Sequence, residues 1–177
     1  MDRDELSVIP LEGRAPEVGR ALWQMQDARR RTIEAVEGLT PQALDWAPPE
    51  GCNSIGSLLY HIAAIETDWL FTDVLQATEF PAEINTLFPQ DVRDAQGVLS
   101  QVRGESLSEH LTRLGRVRSY LLLSYQGLDP DDFRRLREFE DYSVTPEWVL
   151  HHLMQHEAEH RGQIGELRLR AESEFNR

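Results

Sequence analysis

Three histidines recur at intervals of four residues near the carboxyl end of the chain, at His152, His156 and His160. Residues at this spacing lie on one face of an α-helix. At about 100° per residue, His156 and His160 fall in the middle of an apolar stripe, formed by Val149, Leu153, Ile164 and Leu167. Burying an imidazole without polar partners costs on the order of 1–3 kcal/mol. The fold must therefore supply partners for these rings, and a metal ion is a common partner for two imidazoles at i and i+4.

The length and charge of the chain exclude several classes of protein. A chain of 177 residues can bury a sizeable core, and we expect a single domain over residues 1–177. The net charge of −13 argues against a nucleic-acid-binding surface and against docking to anionic lipids. No apolar run approaches about 18 residues, and the amino terminus lacks the features of a signal peptide. We therefore expect a cytoplasmic protein with no nucleic-acid and no membrane partner.

The chain contains a single cysteine, Cys52. One cysteine excludes an intramolecular disulfide and a cysteine-based zinc site. A helix N-terminus near Cys52 would favour a thiolate, but no base lies beside it in the sequence. We interpret Cys52 as an ordinary loop or packing residue.

Apolar residues recur with a helical period in four segments, and no segment shows the alternation of a β-strand. The predicted helices run from about Pro16 to Leu39, from Asn53 or Ser54 to Gln76, from Ser106 to Gln126 and from Thr145-Pro146 to Ala171. Prolines interrupt the segment Ala77–Gly104, where we predict a short helix around Val92–Val102 and a contribution to a substrate pocket. Four amphipathic helices joined by loops predict an all-α four-helix bundle.

Three charged residues fall in the middle of predicted apolar stripes, one in each of the first three helices. They are Arg29 in the first helix, Glu66 in the second and Arg118 in the third. The predicted stripe of the first helix contains Val18, Leu22, Met25, Ile33 and Val36. A single long side chain could extend outward to solvent. An acid and two bases facing one interior instead predict an internal ion pair, of Glu66 with Arg118 or Arg29. Such pairs add little net stability and are often better explained by function or specificity.

Two histidines do not complete a catalytic zinc site, which usually keeps three protein ligands and one open position. His61 lies at the edge of the stripe of the second helix, and spacing favours it only weakly as the third ligand. His152 lies one turn before His156 and is a candidate to support a ligand without binding the metal. His110 flanks the stripe of the third helix, and His151 points away from the core. Spacing alone therefore leaves the third ligand open.

The chain resembles the DinB superfamily over nearly its whole length, most clearly in four segments: Gly51–Trp69, His152–Ile164, Leu39–Trp46 and the pair Val117-Arg118. The resemblance implies a four-helix bundle whose metal is held by one histidine of the second helix and an HxxxH pair of the fourth. Carried onto this chain, the implied ligands are His61, His156 and His160.

The resemblance also implies cofactors and a reaction. The metal varies within the family, and zinc or nickel is expected first here, with iron as a further alternative. Assigned members include bacillithiol- and mycothiol-dependent S-transferases and a maleylpyruvate isomerase. The expectation is therefore a divalent metal, a low-molecular-weight thiol and a small-molecule substrate. Bundles of this kind readily dimerise, so we also expect a homodimer.

Other interpretations of the same residues stay open. The sequence His156-Glu-Ala-Glu-His160 matches the HExxH pattern of zinc proteases, with Glu157 as the general base. We disfavour it, because Glu157 points away from the centre of the histidine face, as a rim residue would. A di-iron site would need a second ExxH and two further glutamates. A metal-dependent hydrolase and a non-enzymatic bundle that binds a metal or ligand remain alternatives to S-transfer.

Overall fold

The computed structural model describes residues 6–51, 53–94 and 97–175, and helices dominate this part of the chain. The expected all-α fold is confirmed, and the first, third, fifth and seventh of its α-helices are the long ones. The helices are α1 (Pro16–Val36), α2 (Pro41–Asp45), α3 (Ile55–Asp68), α4 (Ala82–Asn85), α5 (Leu107–Ser124), α6 (Pro130–Arg134) and α7 (Pro146–Phe175). A π-helical segment, Trp69–Val74, continues α3, and two short strands precede α7: β1 (Arg137–Glu138) and β2 (Ser143–Val144).

Side-chain caps fix where the long helices begin. At the start of α3, the hydroxyl of Ser54 accepts a hydrogen bond from the backbone N–H of Ser57 at 3.1 Å. A capping box opens α5. At the start of α7, the hydroxyl of Thr145 accepts from the backbone N–H of Trp148 at 3.1 Å. Each cap satisfies N–H groups that have no acceptor within their own helix. The predicted start of the last helix is therefore confirmed.

Two apolar clusters form the core and show the directions of the helices. The first cluster includes Val18, Leu22, Leu70, Phe71, Leu121, Tyr125, Val149 and Leu153, and the second includes Val36, Leu58, Ile62, Leu114, Val117, Ile164 and Leu167. Along α1 and α7 the chain passes from the first cluster to the second, whereas along α3 and α5 it passes from the second to the first. Consequently α1 and α7 run in one direction and α3 and α5 in the other. The helix α7 packs against α1 and α3, which brings the histidine-bearing helices together.

The connection between α3 and α5 differs from the sequence prediction. The predicted helix around Val92–Val102 is wrong for the described residues 92–94 and 97–102, which contain no helical segment. Arg93 and Leu99 instead form an isolated antiparallel bridge. Between them, Gly97 has a φ of 80°, which a right-handed helix does not accommodate. The short helix of this connection, α4, lies earlier in the chain.

Three other local predictions also need correction. The segment before α7 contains a small antiparallel hairpin of β1 and β2, although the sequence shows no strand alternation. Helix α1 ends at Val36 rather than Leu39, and Gly38 follows with a φ of 74°. Ile33 does not face the core: it is 42% exposed, while Thr32 is fully buried. Thr32 tolerates burial because its hydroxyl donates to the carbonyl of Ala28 at 3.1 Å.

No helix in the described part of the chain combines the length and apolar character needed to cross a bilayer.

Candidate metal centre

The three candidate ligands converge where α3 faces α7. His61 belongs to α3, whereas His156 and His160 lie one turn apart on α7. Nε2 of His156 lies 3.1 Å from Nε2 of His61 and 3.0 Å from Nε2 of His160. One ligand atom from each ring lies within 4.8 Å of the other two. The three histidines are therefore close enough to bind one metal ion.

The three rings do not form a hydrogen-bonded relay through Nε2 of His156. A neutral imidazole nitrogen carries either a proton or a lone pair. Nε2 of His156 therefore cannot donate to one neighbour and accept from the other. Nitrogens bound to one zinc ion at 2.0–2.1 Å in tetrahedral geometry lie about 3.3 Å apart. The observed separations of 3.0 and 3.1 Å are close to that value, so the donor set fits a divalent metal.

The environment keeps two of the rings in the state that a metal requires. Burial, followed by repulsion from His160, lowers the pKa of His61 to about 4 and that of His156 to about 3. Both imidazoles are therefore neutral at pH 7. A metal competes with protons for the imidazole lone pair, so neutral rings favour its binding.

Gln163 selects the tautomer of His160. Nδ1 of His160 donates to Oε1 of Gln163 at 2.9 Å, one turn further along α7. With the proton on Nδ1, the lone pair of Nε2 points to the other two rings. A partner of this kind orients the ring and makes its free nitrogen a stronger ligand. By contrast, Nδ1 of His61 is buried and has no hydrogen-bond partner among the described residues.

Replacing Gln163 by alanine should weaken metal binding about tenfold. Partners that support a ligand typically contribute 10–100-fold to affinity, and the lower end applies because Gln163 is exposed. Competition with a chromophoric chelator measures the effect. Gln155→Ala is the matched control, because Gln155 bonds to Glu159 and not to a histidine. Equal affinities of the two variants would contradict the role of Gln163.

The histidines lie elsewhere on α7 than the sequence predicts. His156 and His160 are half-buried along the edge of its buried face, whereas Glu157 lies within that face and is 1% exposed. The expectations of a mid-stripe histidine pair and of a rim position for Glu157 are both wrong. The predicted stripe included apolar residues only. Glu157 also belongs to the buried face, because the arginines that bind its carboxylate, Arg29 and Arg118, are buried with it. The edge position leaves one side of the histidine cluster open to solvent.

Four buried charges form a closed ring beside the histidines, hereafter the ion ring, which consists of Arg29, Glu66, Arg118 and Glu157. Arg118 donates through Nε and Nη2 to the two oxygens of Glu66, at 2.7 and 3.0 Å. Arg29 donates through Nε to Oε1 of Glu157 at 2.7 Å and through Nη2 to Oε2 of Glu66 at 2.7 Å. Arg118 also reaches Oε2 of Glu157 at 3.1 Å. None of the four residues is more than 6% exposed.

The ion ring joins all four long helices, because each contributes one member. It contains the predicted pairs of Glu66 with Arg29 and with Arg118, and it adds Glu157. Burial alone would raise the pKa of Glu66, but Arg118 and Arg29 outweigh it and hold the pKa below its usual value. Glu66 lies five residues after His61, and Glu157 directly follows His156. The ring therefore ties together the two helices that carry the histidines.

The remaining histidines have other surroundings. The ring of His152 stacks on that of Trp148, with centroids 5.0 Å apart. Its centroid lies 6.0 Å from that of His156, and no hydrogen bond joins these two rings in the described structure. His110 is buried in α5, where Arg113 donates to its Nδ1 at 3.2 Å, and His151 is exposed. Cys52, interpreted above as a loop or packing residue, lies outside the described residues.

A cleft of about 530 Å³ lies close to His61, although none of the three histidines is among its lining residues. Ala64 and Ile65, one turn after His61, line it from α3. The connection between α3 and α5 supplies the opposite side, with Phe80, Asn85, Phe88, Gln90, Asp91, Val92 and Arg93. Arg93 is close enough to His61 to contribute to the lowering of its pKa, after burial and His160. The surface of the cleft is mainly apolar, and its lining also includes the charged residues Asp68, Asp91 and Arg93.

The structure also bears on the protease and di-iron interpretations. A general base needs an accessible carboxylate, but both oxygens of Glu157 already accept from arginines in the ion ring. The histidine cluster contains no carboxylate ligand among the described residues, whereas a di-iron site is built largely from glutamates. Neither interpretation agrees with the geometry.

The chain matches a known protein family. The family model of the DinB superfamily matches residues 24–164, a range that includes all three histidines. No curated protein matches the chain.

Proposed function

Since the chain belongs to the DinB superfamily, we propose that it is a metal-dependent S-transferase that joins a low-molecular-weight thiol to a small electrophilic molecule. The proposal assigns His61, His156 and His160 as the ligands of one divalent ion. The observation that carries it is the convergence of their three Nε2 atoms, with separations of 3.0 and 3.1 Å. Zinc or nickel is the ion we propose first.

The ligands determine what chemistry the centre supports. Three neutral imidazoles add no negative charge, so they leave the full charge of the ion available to a fourth ligand. A divalent ion there would lower the pKa of a bound thiol and supply a thiolate at neutral pH. The half-buried position of His156 and His160 provides the open side that a fourth ligand needs.

The cleft beside His61 is the proposed binding place of the thiol. Its volume of about 530 Å³ falls within the usual range of small-molecule sites. Low-molecular-weight thiols carry polar or acidic groups besides the sulfur. Arg93 supplies a positive charge close to His61, and Asn85 and Gln90 supply amide groups further along the same wall.

The proposed reaction exchanges one bond for another. The sulfur of the thiol forms a bond to an electrophilic carbon of the substrate, and the leaving group departs with its bonding electrons. The S–H proton passes to solvent through the open side of the centre.

Two measurements test the proposal. Elemental analysis of the purified protein gives its metal content. Conjugation of bacillithiol, mycothiol or glutathione to a chlorodinitrobenzene then measures S-transfer. We expect about one divalent ion per chain and conjugation of at least one thiol above the uncatalysed rate, with both lost in His156→Ala. The matched control, His151→Ala, changes an exposed histidine of the same helix and should retain both.

The possible failures differ from one another. A protein that binds metal but accelerates no conjugation is not an S-transferase for these thiols, although the metal centre stands. Conjugation that persists in His156→Ala would mean that the reaction does not use the histidine cluster. Absence of any divalent metal, even after incubation with zinc or nickel, would overturn the whole proposal.

A further inference from the structure

A second pocket lies along α7 from the histidines, between the start of that helix and the strand β2. It is lined by Trp69, Tyr142, Ser143, Val144 and Trp148 and has a volume of about 330 Å³; we call it the aromatic pocket. Nothing in the proposed S-transfer reaction uses it. Tyr142 and Trp148 are each 46% exposed, so they are not core residues. Large aromatic side chains that surround an open pocket are typical of a binding site.

The aromatic rings are held in fixed positions around the pocket. The ring centroid of Trp69 lies 5.4 Å from that of Trp148 and 6.4 Å from that of Tyr142, at interplanar angles of 52° and 61°. One face of Trp148 is covered by His152, which stacks on it at 5.0 Å. One face of Tyr142 is covered by Phe139, also at 5.0 Å. Rings supported in this way need little reordering when a ligand binds.

Acidic groups lie close to the pocket, and the arginine of the hairpin, Arg137, is paired with Asp132. The hydroxyl of Tyr142 donates to the buried carboxylate of Asp73 at 2.5 Å. This bond, together with burial and the charges of Asp73 and Asp68, raises the pKa of Tyr142 to about 12. Acidic residues also flank Tyr142 in the hairpin, at Glu138, Glu140 and Asp141. No arginine lines the pocket in the described part of the chain. A positively charged ligand is therefore favoured.

The scarcity of hydrogen-bond acceptors narrows the kind of cation, since Ser143 and Tyr142 are the lining residues that carry hydroxyl groups in the described structure. Within the described structure, no carboxylate lines the aromatic pocket, and Asp73 already accepts from Tyr142. A primary ammonium or a guanidinium group would lose hydrogen bonds to water without replacing them there. A quaternary ammonium group has no N–H to satisfy, and it is attracted to the faces of electron-rich rings.

The π-helical segment that continues α3 positions two of the residues involved. Trp69 and Asp73 both lie within it, and the backbone N–H of Leu75 donates to the carbonyl of Leu70 at 3.0 Å, in the i to i+5 pattern. Single π-helical turns are rare and occur frequently at functional sites. Here the turn brings Trp69 to the pocket and places Asp73 where it can fix the hydroxyl of Tyr142.

We propose that the aromatic pocket binds a quaternary alkylammonium group through cation–π contacts with Trp69, Tyr142 and Trp148. The carboxylates of Asp73 and Asp68 add long-range attraction. The neutral phenol of Tyr142 keeps its ring in place through the bond to Asp73.

The location of the pocket suggests which molecule carries the group. The ring of His152 contacts both tryptophans of the pocket, and its centroid lies 6.0 Å from that of His156. His156 lies eight positions after Trp148 in α7, which corresponds to about 12 Å along the helix. A substrate that carries its ammonium group about this distance from its electrophilic carbon would reach both places. This assignment to the substrate rests on the proposed function, whereas binding of the cation does not.

Calorimetric titration with choline, on protein freed of metal by chelation, tests the binding itself. Three aromatic rings attract the quaternary ammonium group of choline, so we expect a dissociation constant of about 1 mM or lower. Dimethylbutanol, the neutral molecule of the same shape, should bind at least about tenfold more weakly, because it lacks the charge. Equal binding of the two compounds would overturn the proposal.

Substitutions locate the bound cation. Trp148→Leu and Tyr142→Leu should each weaken choline binding at least about tenfold, whereas Tyr142→Phe keeps the ring and should bind within about threefold. Trp23→Leu, which changes a partly buried tryptophan of α1, is the control for general effects of losing an indole. Far-ultraviolet circular dichroism verifies that each variant is folded.

Two further outcomes would reject the pocket as a cation site. One is choline binding that Trp148→Leu leaves unchanged. The other is the absence of choline binding by a protein that sediments as a dimer and becomes monomeric in Trp148→Leu. The aromatic residues would then form an interface between two copies of the chain. Since these measurements need neither metal nor thiol, their failure and a failure of the S-transfer assay can be told apart.

Discussion

Alanine at His61, His156 or His160 is expected to weaken binding of a divalent metal by more than about 100-fold. Residues that only support a ligand contribute 10–100-fold, so loss of a ligand must exceed that range. Each substitution removes one of three nitrogens from a centre that offers no other donor within the described cluster. The affinity is measured by competition with a chromophoric chelator, and the stoichiometry by elemental analysis.

The neighbouring histidines of α7 serve as matched controls for this result. His151→Ala changes an exposed ring, and His152→Ala changes a ring that stacks on Trp148 without a hydrogen bond to His156 in the described structure. Both variants should keep metal affinity within about tenfold of the unchanged protein. Similar metal content in all five variants would mean that the three converging nitrogens do not form the site.

Replacing Glu157 by alanine is expected to lower the free energy of unfolding by about 3–5 kcal/mol. The substitution leaves the guanidinium groups of Arg29 and Arg118 with a single carboxylate between them, that of Glu66. None of these three residues is more than 6% exposed. A buried charge without its partner is strongly destabilising, although the intact ring itself adds little net stability. A loss of this size is a large share of the 5–15 kcal/mol that stabilises a typical domain. Urea unfolding of the metal-free protein measures it without interference from metal binding.

An exposed ion pair of the same protein provides the control for Glu157→Ala. Glu34 accepts from Arg30 at 2.6 Å on the surface of α1, with both side chains more than half exposed. Such pairs contribute little, so Glu34→Ala should leave the urea midpoint nearly unchanged. A Glu157→Ala protein as stable as the Glu34→Ala protein would mean that the arginines of the ion ring reach solvent or another partner when the carboxylate is removed.

The spacing of residues predicted the long helices because periodic burial is a local property of the sequence. The starts of α3 and α7 followed from Ser54, Thr145 and Pro146, whose effects act within one turn. Spacing also placed Arg29, Glu66 and Arg118 toward a common interior, since each lies on the buried face of its own helix. These features depend on short-range geometry, and the structure agrees with them.

Glu157 is a buried residue that the apolar spacing did not predict. It lies four residues after Leu153 and seven before Ile164, so its angle on the helix matched the stripe. A prediction that admits only apolar residues to a stripe omits a charged residue in that position. A search for charged residues at stripe spacing on all four helices would have found the ion ring. What it could not have found is which carboxylate oxygen each guanidinium reaches.

The sequence by itself determined the long helices and the presence of buried charges, because these depend on spacing along one chain segment. Only the tertiary structure decided that His61 of α3 meets the two histidines of α7. It places Nε2 of His61 and Nε2 of His160 within 3.1 Å of Nε2 of His156. The aromatic pocket, assembled from α7, the hairpin and the π-helical turn, also appeared only in three dimensions. The physical reason is that contacts between segments distant in sequence depend on how helices pack and where long connections return, and no local period encodes either.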